Sequence, residues 1–366
     1  MERQFFRRRP PAEPLSPHDR VRRRRRRWRK VLMPSLALLL GFVMLGVGAV
    51  EWGTNHYAGE IQRIPNALPN LPANELPVKP PQAGQSLTFL LVGLDARADL
   101  PTTGNAAGAP LWTYGAQRTD TIMLLHLTSD RSHAYLVSIP RDTWVQIPGH
   151  GMAKINAAFS WGGPPLLVQT VEQYTGIRID HFGAIDWDGF TSLVNAVGGV
   201  TITIPADSYD PEQNRHWTAG TTTMDGTTAL AYVRQRYGLP NGDLDREARQ
   251  QNFLRALMTK TVGRISLTDP FELSTLLDAT AKAVSVDDQL SNGELRDLAL
   301  GMAQMGTGAV TFVQPPLGDF ITVDGQDALN LDPVKAPALW QAIAADQLPG
   351  WLAKYGSGSV LPATVK

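Results

Sequence analysis

The segment RTDTIMLLHLTSDRSHAYLVSIPRD, residues 118–142, contains two short runs rich in aliphatic and β-branched side chains, Thr121–Leu127 and His133–Ile139, joined by the turn residues Thr128–Ser132. A run of the same kind, LTFLLVGL at Leu87–Leu94, precedes them. If Leu87–Leu94 and Thr121–Leu127 run antiparallel, the end of the first lies beside the start of the second, and Asp95 approaches Arg118 and Asp120. The short turn then returns Ile139 to the same end and brings Arg141 and Asp142 with it. This meander predicts that carboxylates and arginines far apart in sequence converge at one end of a sheet.

Outward from this segment the pattern mixes short β-rich runs with helical periodicity, as expected of an α/β domain. Phe182–Ile185 and Val200–Ile204 read as strands, and Val310–Val313 as a late, weaker one. Helices are expected at Pro164–Tyr174, Asp188–Val197, Asp225–Val233, Asp245–Val262, Pro270–Ala283, Asn292–Met305 and Pro333–Ala345. No internal repeat or low-complexity tract follows residue 85.

Upstream, VLMPSLALLLGFVMLGVGAV at 31–50 is twenty residues without a charge, enough at ~1.5 Å per residue to cross a ~30 Å hydrocarbon layer. It reads as one transmembrane helix. Its rival, a cleaved signal peptide, has a shorter apolar core and a small-residue cleavage site, which EWGTNHY does not offer. Residues 60–85 carry Pro65, Pro69, Pro72, Pro77, Pro80 and Pro81 and read as an extended spacer, so the folded body is expected to begin near Gln85.

The formal charge of zero averages two opposite parts. Residues 1–30 hold 13 Lys+Arg against three acids, giving +10, and the other 336 residues hold 21 basic and 31 acidic groups, giving −10. Arginines crowded before the apolar segment set a cytoplasmic N-terminus and an exported body, in a single-pass cell-membrane protein. The tail meets anionic membrane lipid. Nucleic acid is not an expected partner, since the only strongly basic block precedes the apolar segment.

The chain lacks cysteine, which excludes thiolate sites, and seven scattered histidines have no metal-ligand spacing. It also lacks a G-x-x-x-x-G-K-[ST] loop, an H-E-x-x-H pair and a G-x-S-x-G elbow. What remains is arginine and aspartate chemistry. YVRQRYGLPNGDLDREARQQ at 232–251 carries Arg234, Arg236, Arg246 and Arg249. If the helix ends near Val233, Arg234 and Arg236 share one side of an extended segment. Arg246 and Gln250 then share a face of the next helix, close to an N-terminus that Asp243 or Asp245 can cap.

Guanidinium groups fork onto phosphate oxygens, and several together suit a pyrophosphate. Nearby carboxylates repel such a ligand unless a cation intervenes, and Mg²⁺ binds one or two carboxylates together with substrate phosphates. Taken alone, the spacing favours solvated ion pairs with Asp243, Asp245 and Glu247.

The wording of the sequence adds a further argument. LLVGLD (90–95), RTDTIMLLHL (118–127), SIPRDTWV (138–145), KINAAFSWGGPPLLVQTVEQYTG (154–176), IDHFGAIDWDGFTSLVNAVGGVTITIP (179–205), DGTTALAYVRQR (225–236) and DLDREARQQNFL (243–254) closely resemble the LytR–CpsA–Psr family, over roughly Leu87 to Val262. The arginine-rich tail resembles actinobacterial members. The resemblance implies an α-β-α domain with a mixed central β-sheet flanked by helices. It implies an extracytoplasmic phosphotransferase that moves a glycopolymer from a polyprenyl-pyrophosphate carrier to a peptidoglycan acceptor.

Carried over by residue, it makes Asp95 and Asp120 the carboxylates around a Mg²⁺ (or Mn²⁺) pyrophosphate group, with Arg118 and Arg141 beside them as catalytic groups. Arg141, Arg234, Arg236 and Arg246 become pyrophosphate ligands, with Gln250 and Lys154 as helpers. Arg97, Asp142, Asn156 and Arg249 border the pattern. The same site could serve hydrolysis, as a polyprenyl-pyrophosphatase, or a non-enzymatic, regulatory carrier-binding role.

The segment between Asp95 and Arg118 is longer than the family's connection and reads as a tolerated surface loop rather than a lid. The expected organisation is a basic tail (1–30), a transmembrane helix (31–50), a linker (51–85), a catalytic core (86–262) and a C-terminal part completing the domain (263–366), without catalytic residues.

Overall fold

The computed structural model describes residues 59–96, 100–240, 242–264, 270–305, 307–356 and 358–360. The basic tail and the expected transmembrane helix at 31–50 lie outside the described residues. Among those described, no helix is long and apolar enough to cross a membrane.

The chain runs through β1 (Gln62–Ile64), β2 (Leu87–Ala96), β3 (Gln117–Leu127), β4 (Ala134–Ser138), β5 (Trp144–Ile147), β6 (Gly151–Lys154), α1 (Asn156–Thr175), β7 (His181–Asp186) and α2 (Trp187–Ala196). It continues through β8 (Val200–Ile204), β9 (Ser208–Asp210), β10 (Arg215–Trp217), β11 (Gly220–Met224), α3 (Gly226–Arg234), α4 (Asp243–Arg264), α5 (Pro270–Ala283) and β12 (Val284–Asp287). The remaining elements are α6 (Asn292–Met305), β13 (Val310–Val313), β14 (Leu317–Val323), β15 (Gln326–Leu331), α7 (Lys335–Ala344) and α8 (Leu348–Tyr355).

A mixed sheet of seven strands, in the order β1-β12-β7-β2-β3-β4-β13, forms the centre. β2, β3 and β4 pair antiparallel in sequence, the meander read from 118–142, while β2–β7, β4–β13 and β1–β12 pair parallel. Both faces are covered, which is why LLVGL and TIMLLHL are nearly continuous apolar runs rather than alternating ones. Leu90, Val92, Leu94, Ile122 and Leu124 pack with Leu167, Val168 and Val171 of α1 and Leu339, Trp340 and Ile343 of α7. Phe89, Met123, Leu125 and Leu127 face Ala248 and Leu254 of α4 and Leu295 and Leu298 of α6.

Three boundaries differ from the sequence reading. First, the body begins before Gln85. β1 joins the sheet edge beside β12, and Ile64, Ala67 and Leu68 are buried at 7, 0 and 8 % exposure. Proline bars regular interior strands but not an edge strand that stops just before Pro65. Second, α1 starts at Asn156 rather than Pro164. Gly163 breaks it with φ 65°, a conformation open to glycine, and Pro164 and Pro165 resume it. Third, the segment before Arg118 is docked. Thr102 and Thr103 are 0 and 1 % exposed, and Leu111 and Trp112 pack on the core. Arg97 lies outside the described residues.

Candidate active site

The site forms where the meander ends. Asp95 pairs with Arg118 across β2 and β3, but the register slips between Gly93, which faces Thr121, and Leu94, which faces Thr119. Asp120 is the extra residue of this bulge. A bulge re-aims side chains, and Asp120 and Thr121 are both half-buried and both turned to the site.

β4 then delivers Arg141, whose Nη1 donates to Asp120 Oδ1 at 2.5 Å, with side chains 15 and 16 % exposed. Asp142 lies 3.7 Å from Arg141 Nε and 3.0 Å from Lys154 Nζ at the end of β6. It therefore holds both cations beside the cleft.

α3 ends at Arg234 because Gln235 leaves the helix with φ −57° and ψ 128°. In that extended segment Arg234 and Arg236 line the cleft while Gln235 turns inward at 0 % exposure. Gln235 Oε1 accepts from Arg249 Nη1 at 2.6 Å, and Arg249 Nη2 donates to Ser208 Oγ at 3.2 Å. The Arg249 guanidinium lies 4.7 Å from the Tyr232 ring centroid. Burial lowers the Arg249 pKa and raises that of Tyr232. Arg249 thus lies behind the site at 2 % exposure and holds its wall.

On α4, Arg246 and Gln250 line the cleft, as their i,i+4 spacing predicts. Gln250 Oε1 accepts from Thr121 Oγ1 at 2.7 Å and Gln250 Nε2 donates to the Val233 carbonyl at 3.2 Å, joining β3, α3 and α4.

The resulting cavity, about 360 Å³, is lined by Asp95, Arg118, Asp120, Arg141, Arg234, Arg236, Arg246 and Gln250, with Glu212 and Gln213 added. A second cavity of about 590 Å³ adjoins it, sharing Asp120, Arg141, Arg236 and Arg246 and adding Lys154. Five guanidinium groups face three carboxylates in the first cavity, so the local balance is positive in a body whose total is negative. Every residue given a catalytic, metal or pyrophosphate role in the sequence reading borders one of the two cavities, as does Asp142, whereas Arg249 and Asn156 line neither.

Sequence reasoning missed Trp187, whose Nε1–H donates to Asp95 Oδ1 at 3.1 Å and whose ring lies 5.5 Å from the Arg234 guanidinium. It also missed the far wall of the second cavity, Phe320, Ile321, Thr322, Asp327 and Leu329 of the β14–β15 hairpin. The C-terminal part therefore shapes the cleft as well as completing the sheet. A Trp following Asp186 in IDWDGF carried no spacing signal, and the hairpin reaches the site only through tertiary contact.

The profile of the LytR_cpsA_psr family matches residues 64–344. The chain belongs to the LytR–CpsA–Psr family. The match extends beyond 87–262 on both sides, to β1 and to α7, in line with the earlier start and larger body of the fold.

Among LytR–CpsA–Psr relatives, the chain is 38 % identical over 255 residues to a probable cell wall biosynthesis protein LcpB of Corynebacterium glutamicum, covering 70 % of this chain and 60 % of LcpB. It is 37 % identical over 177 residues to the polyisoprenyl-teichoic acid–peptidoglycan teichoic acid transferase TagU of Enterococcus faecalis, covering 47 % of this chain and 56 % of TagU. The chain thus spans little more than half the length of these relatives. A structure of TagT bound to LIIa-WTA superposes with a TM-score of 0.54 at 26 % identity, over 78 % of this chain and 98 % of that one.

Proposed function

We propose that this protein is a membrane-anchored, extracytoplasmic phosphotransferase that moves a glycopolymer from a polyprenyl-pyrophosphate carrier to peptidoglycan. The observation that carries the reading is the convergence of five arginines and two aspartates from β2, β3, β4, α3 and α4 on one cleft. The names of TagU and of ligand-bound TagT support the same class of chemistry.

In this reading an acceptor hydroxyl oxygen, that of C6 on N-acetylmuramic acid, forms a bond to the phosphorus bearing the glycan. The bond from that phosphorus to the bridging oxygen breaks, and polyprenyl phosphate leaves with its electron pair. The hydroxyl proton passes to a cleft carboxylate. Arg141, Arg234, Arg236 and Arg246 bind the two phosphates and stabilise the charge that gathers on the leaving one. Arg118, exposed at the rim, and Lys154 guide the anionic donor inward.

Asp95 and Asp120 suit a hard divalent cation. Each has one oxygen engaged, by Trp187 and by Arg141, and an Oδ2 with no protein donor among the described residues. No group of three or more His, Cys, Asp or Glu gathers among the described residues, and Mg²⁺ requires only one or two carboxylates when phosphates and water complete its shell. Mg²⁺ or Mn²⁺, when bound, supplies charge neutralisation between carboxylates and phosphates.

The full-length protein, incubated with lipid-linked polymer, Mg²⁺ and peptidoglycan, is expected to attach polymer covalently to the acceptor. Release of free phosphorylated glycan in the presence of acceptor would instead identify a pyrophosphatase. Unchanged cellular polymer attachment in Arg141→Ala and Asp120→Ala would identify a non-enzymatic carrier-binding protein. Placement in the cell membrane with the N-terminus inside rests on the basic tail and on residues 31–50. Protease accessibility of the C-terminal body in intact protoplasts tests it.

A further inference from the structure

A third cavity, about 620 Å³, is lined in part by Asp319, Asn330 and Leu331 at the base of the β14–β15 hairpin and falls within the roughly 300–1,000 Å³ typical of ligand sites. Three aromatic side chains line it: Trp144 of β5, Tyr174 of α1 and Trp340 of α7, the last two meeting edge to face at 6.4 Å. Trp340 is only 3 % exposed, yet its indole N–H meets no protein acceptor among the described residues. Nor do the indole N–H of Trp144 and the hydroxyl of Tyr174, whose pKa is raised to about 12 by burial, so that it stays a donor. These donors open onto the groove, where tryptophan and tyrosine combine an apolar face with a polar tip. Three ring donors left to solvent in one groove are available to a ligand.

The rim adds Asp319, Asn330 and Gln341, all exposed and all without side-chain partners among the described residues. Planar amides and a carboxylate both accept from hydroxyls. No Lys or Arg lines the groove, and its charged lining residues are Asp319 and Asp332. A phosphate-rich polymer or a pyrophosphate is therefore repelled, in contrast to the arginine cleft next to it. An acyl chain would strand several polar groups in apolar surroundings. Aromatic faces ringed by unengaged hydrogen-bonding groups, without positive charge, suit an uncharged sugar chain.

The groove is also close to the cleft. Leu329 lines the cleft and its neighbour Asn330 lines the groove, while Asp142 lines the cleft and Trp144 the groove. Two residues of extended chain span only about 7 Å, and Leu329 N–H donates to the Asp142 carbonyl at 3.0 Å, tying the two segments together.

We propose that this aromatic groove binds an uncharged N-acetylhexosamine glycan and holds the acceptor strand beside the phosphate cleft. The identity of the ligand as acceptor rests on the transferase reading above. The existence of a neutral-glycan site does not.

The test titrates full-length protein in detergent with N-acetylglucosamine oligosaccharides, reading tryptophan fluorescence and saturation transfer to the sugar. Binding is expected in wild type and about tenfold weaker in Trp144→Ala, from loss of one stacking partner. Asn330→Ala and Gln341→Ala change only exposed side chains, are expected to fold as wild type, and should also weaken it. Arg141→Ala should bind the oligosaccharide as wild type does. No binding to wild type, or equal binding to all of the groove variants, overturns the proposal. If the sugar binds in the groove but no polymer is transferred, the glycan site stands and the transferase reading fails. If transfer proceeds and Trp144→Ala, correctly folded, shows unchanged KM for acceptor, the assignment of the groove to the acceptor strand is overturned while the transferase reading stands.

Discussion

The indole N–H of Trp187 donates to Asp95 Oδ1 at 3.1 Å while the same ring lies 5.5 Å from the Arg234 guanidinium. One side chain thereby holds a carboxylate at the end of β2 and an arginine at the end of α3 on either side of the cleft. Asp95 keeps one oxygen for this donor and presents the other to the cavity.

Trp187→Phe retains a ring near Arg234 and removes the N–H. A hydrogen bond to a charged group contributes about 1.5–3 kcal/mol, so transfer should slow roughly ten- to a hundredfold. Single-turnover rates with lipid-linked donor measure it; an unchanged rate would show that the N–H does not organise Asp95.

Arg141→Ala removes a proposed phosphate ligand and leaves Asp120 without its partner. Loss of one group aimed at developing charge is expected to lower the transfer rate about 10²–10³-fold. The Arg141–Asp120 pair is partly exposed, and stability should change by no more than about 1 kcal/mol. Parallel melting and activity assays separate the two; equal losses in both would make the pair structural.

His126, 1 % exposed on β3, shares a hydrogen bond with Thr88 Oγ1 at 3.0 Å and another with Asp346 Oδ1 at 3.0 Å. Burial holds its pKa below the usual 6.5 despite the Asp346 carboxylate, so the pair is a hydrogen bond to a neutral ring rather than an ion pair. A depressed folded pKa contributes stability that is present above 6.5 and lost as pH falls through the folded value. Chemical denaturation should show stability declining below pH 6.5, and His126→Gln should flatten that decline. A slope identical to wild type would assign it to other groups.

Gly104 has φ 77°, and a Cβ there would lie 1.8 Å from the Lys282 carbonyl oxygen. Its neighbours are anchored by Asp186 Oδ2, which accepts from the Thr102 and Thr103 amides at 2.6 and 3.1 Å. Gly104→Ala should destabilise the protein by about 1–3 kcal/mol and speed amide exchange across 100–116. Exchange at wild-type rates would show that this segment is not docked through Gly104.

The meander was legible because its strands carry a strong local signal: Thr121–Leu127 and His133–Ile139 are apolar runs around a short turn, and short connections pair neighbours. From that pairing alone Asp95, Arg118, Asp120 and Arg141 fall at one end. Arg246 and Gln250 followed from helical spacing. The start of the body at Gln62 was hidden, since β1 is a three-residue edge strand whose partner β12 lies more than two hundred residues away. The bulge at Asp120 was equally hidden, because nothing in RTDT marks which residue is extra.

The sequence by itself determined the layered α/β class, the charge division at the apolar segment and the arginine–aspartate character of the site, because periodicity, net charge and residue chemistry are local properties. Only the tertiary structure decided that Trp187 joins Asp95 to Arg234, that Arg249 stays behind Gln235, and that the β14–β15 hairpin lends residues to both a positive cleft and an aromatic groove. Those relations depend on which side chains packing brings within a few ångströms, and no spacing along one chain encodes a contact between segments that meet only when the core closes.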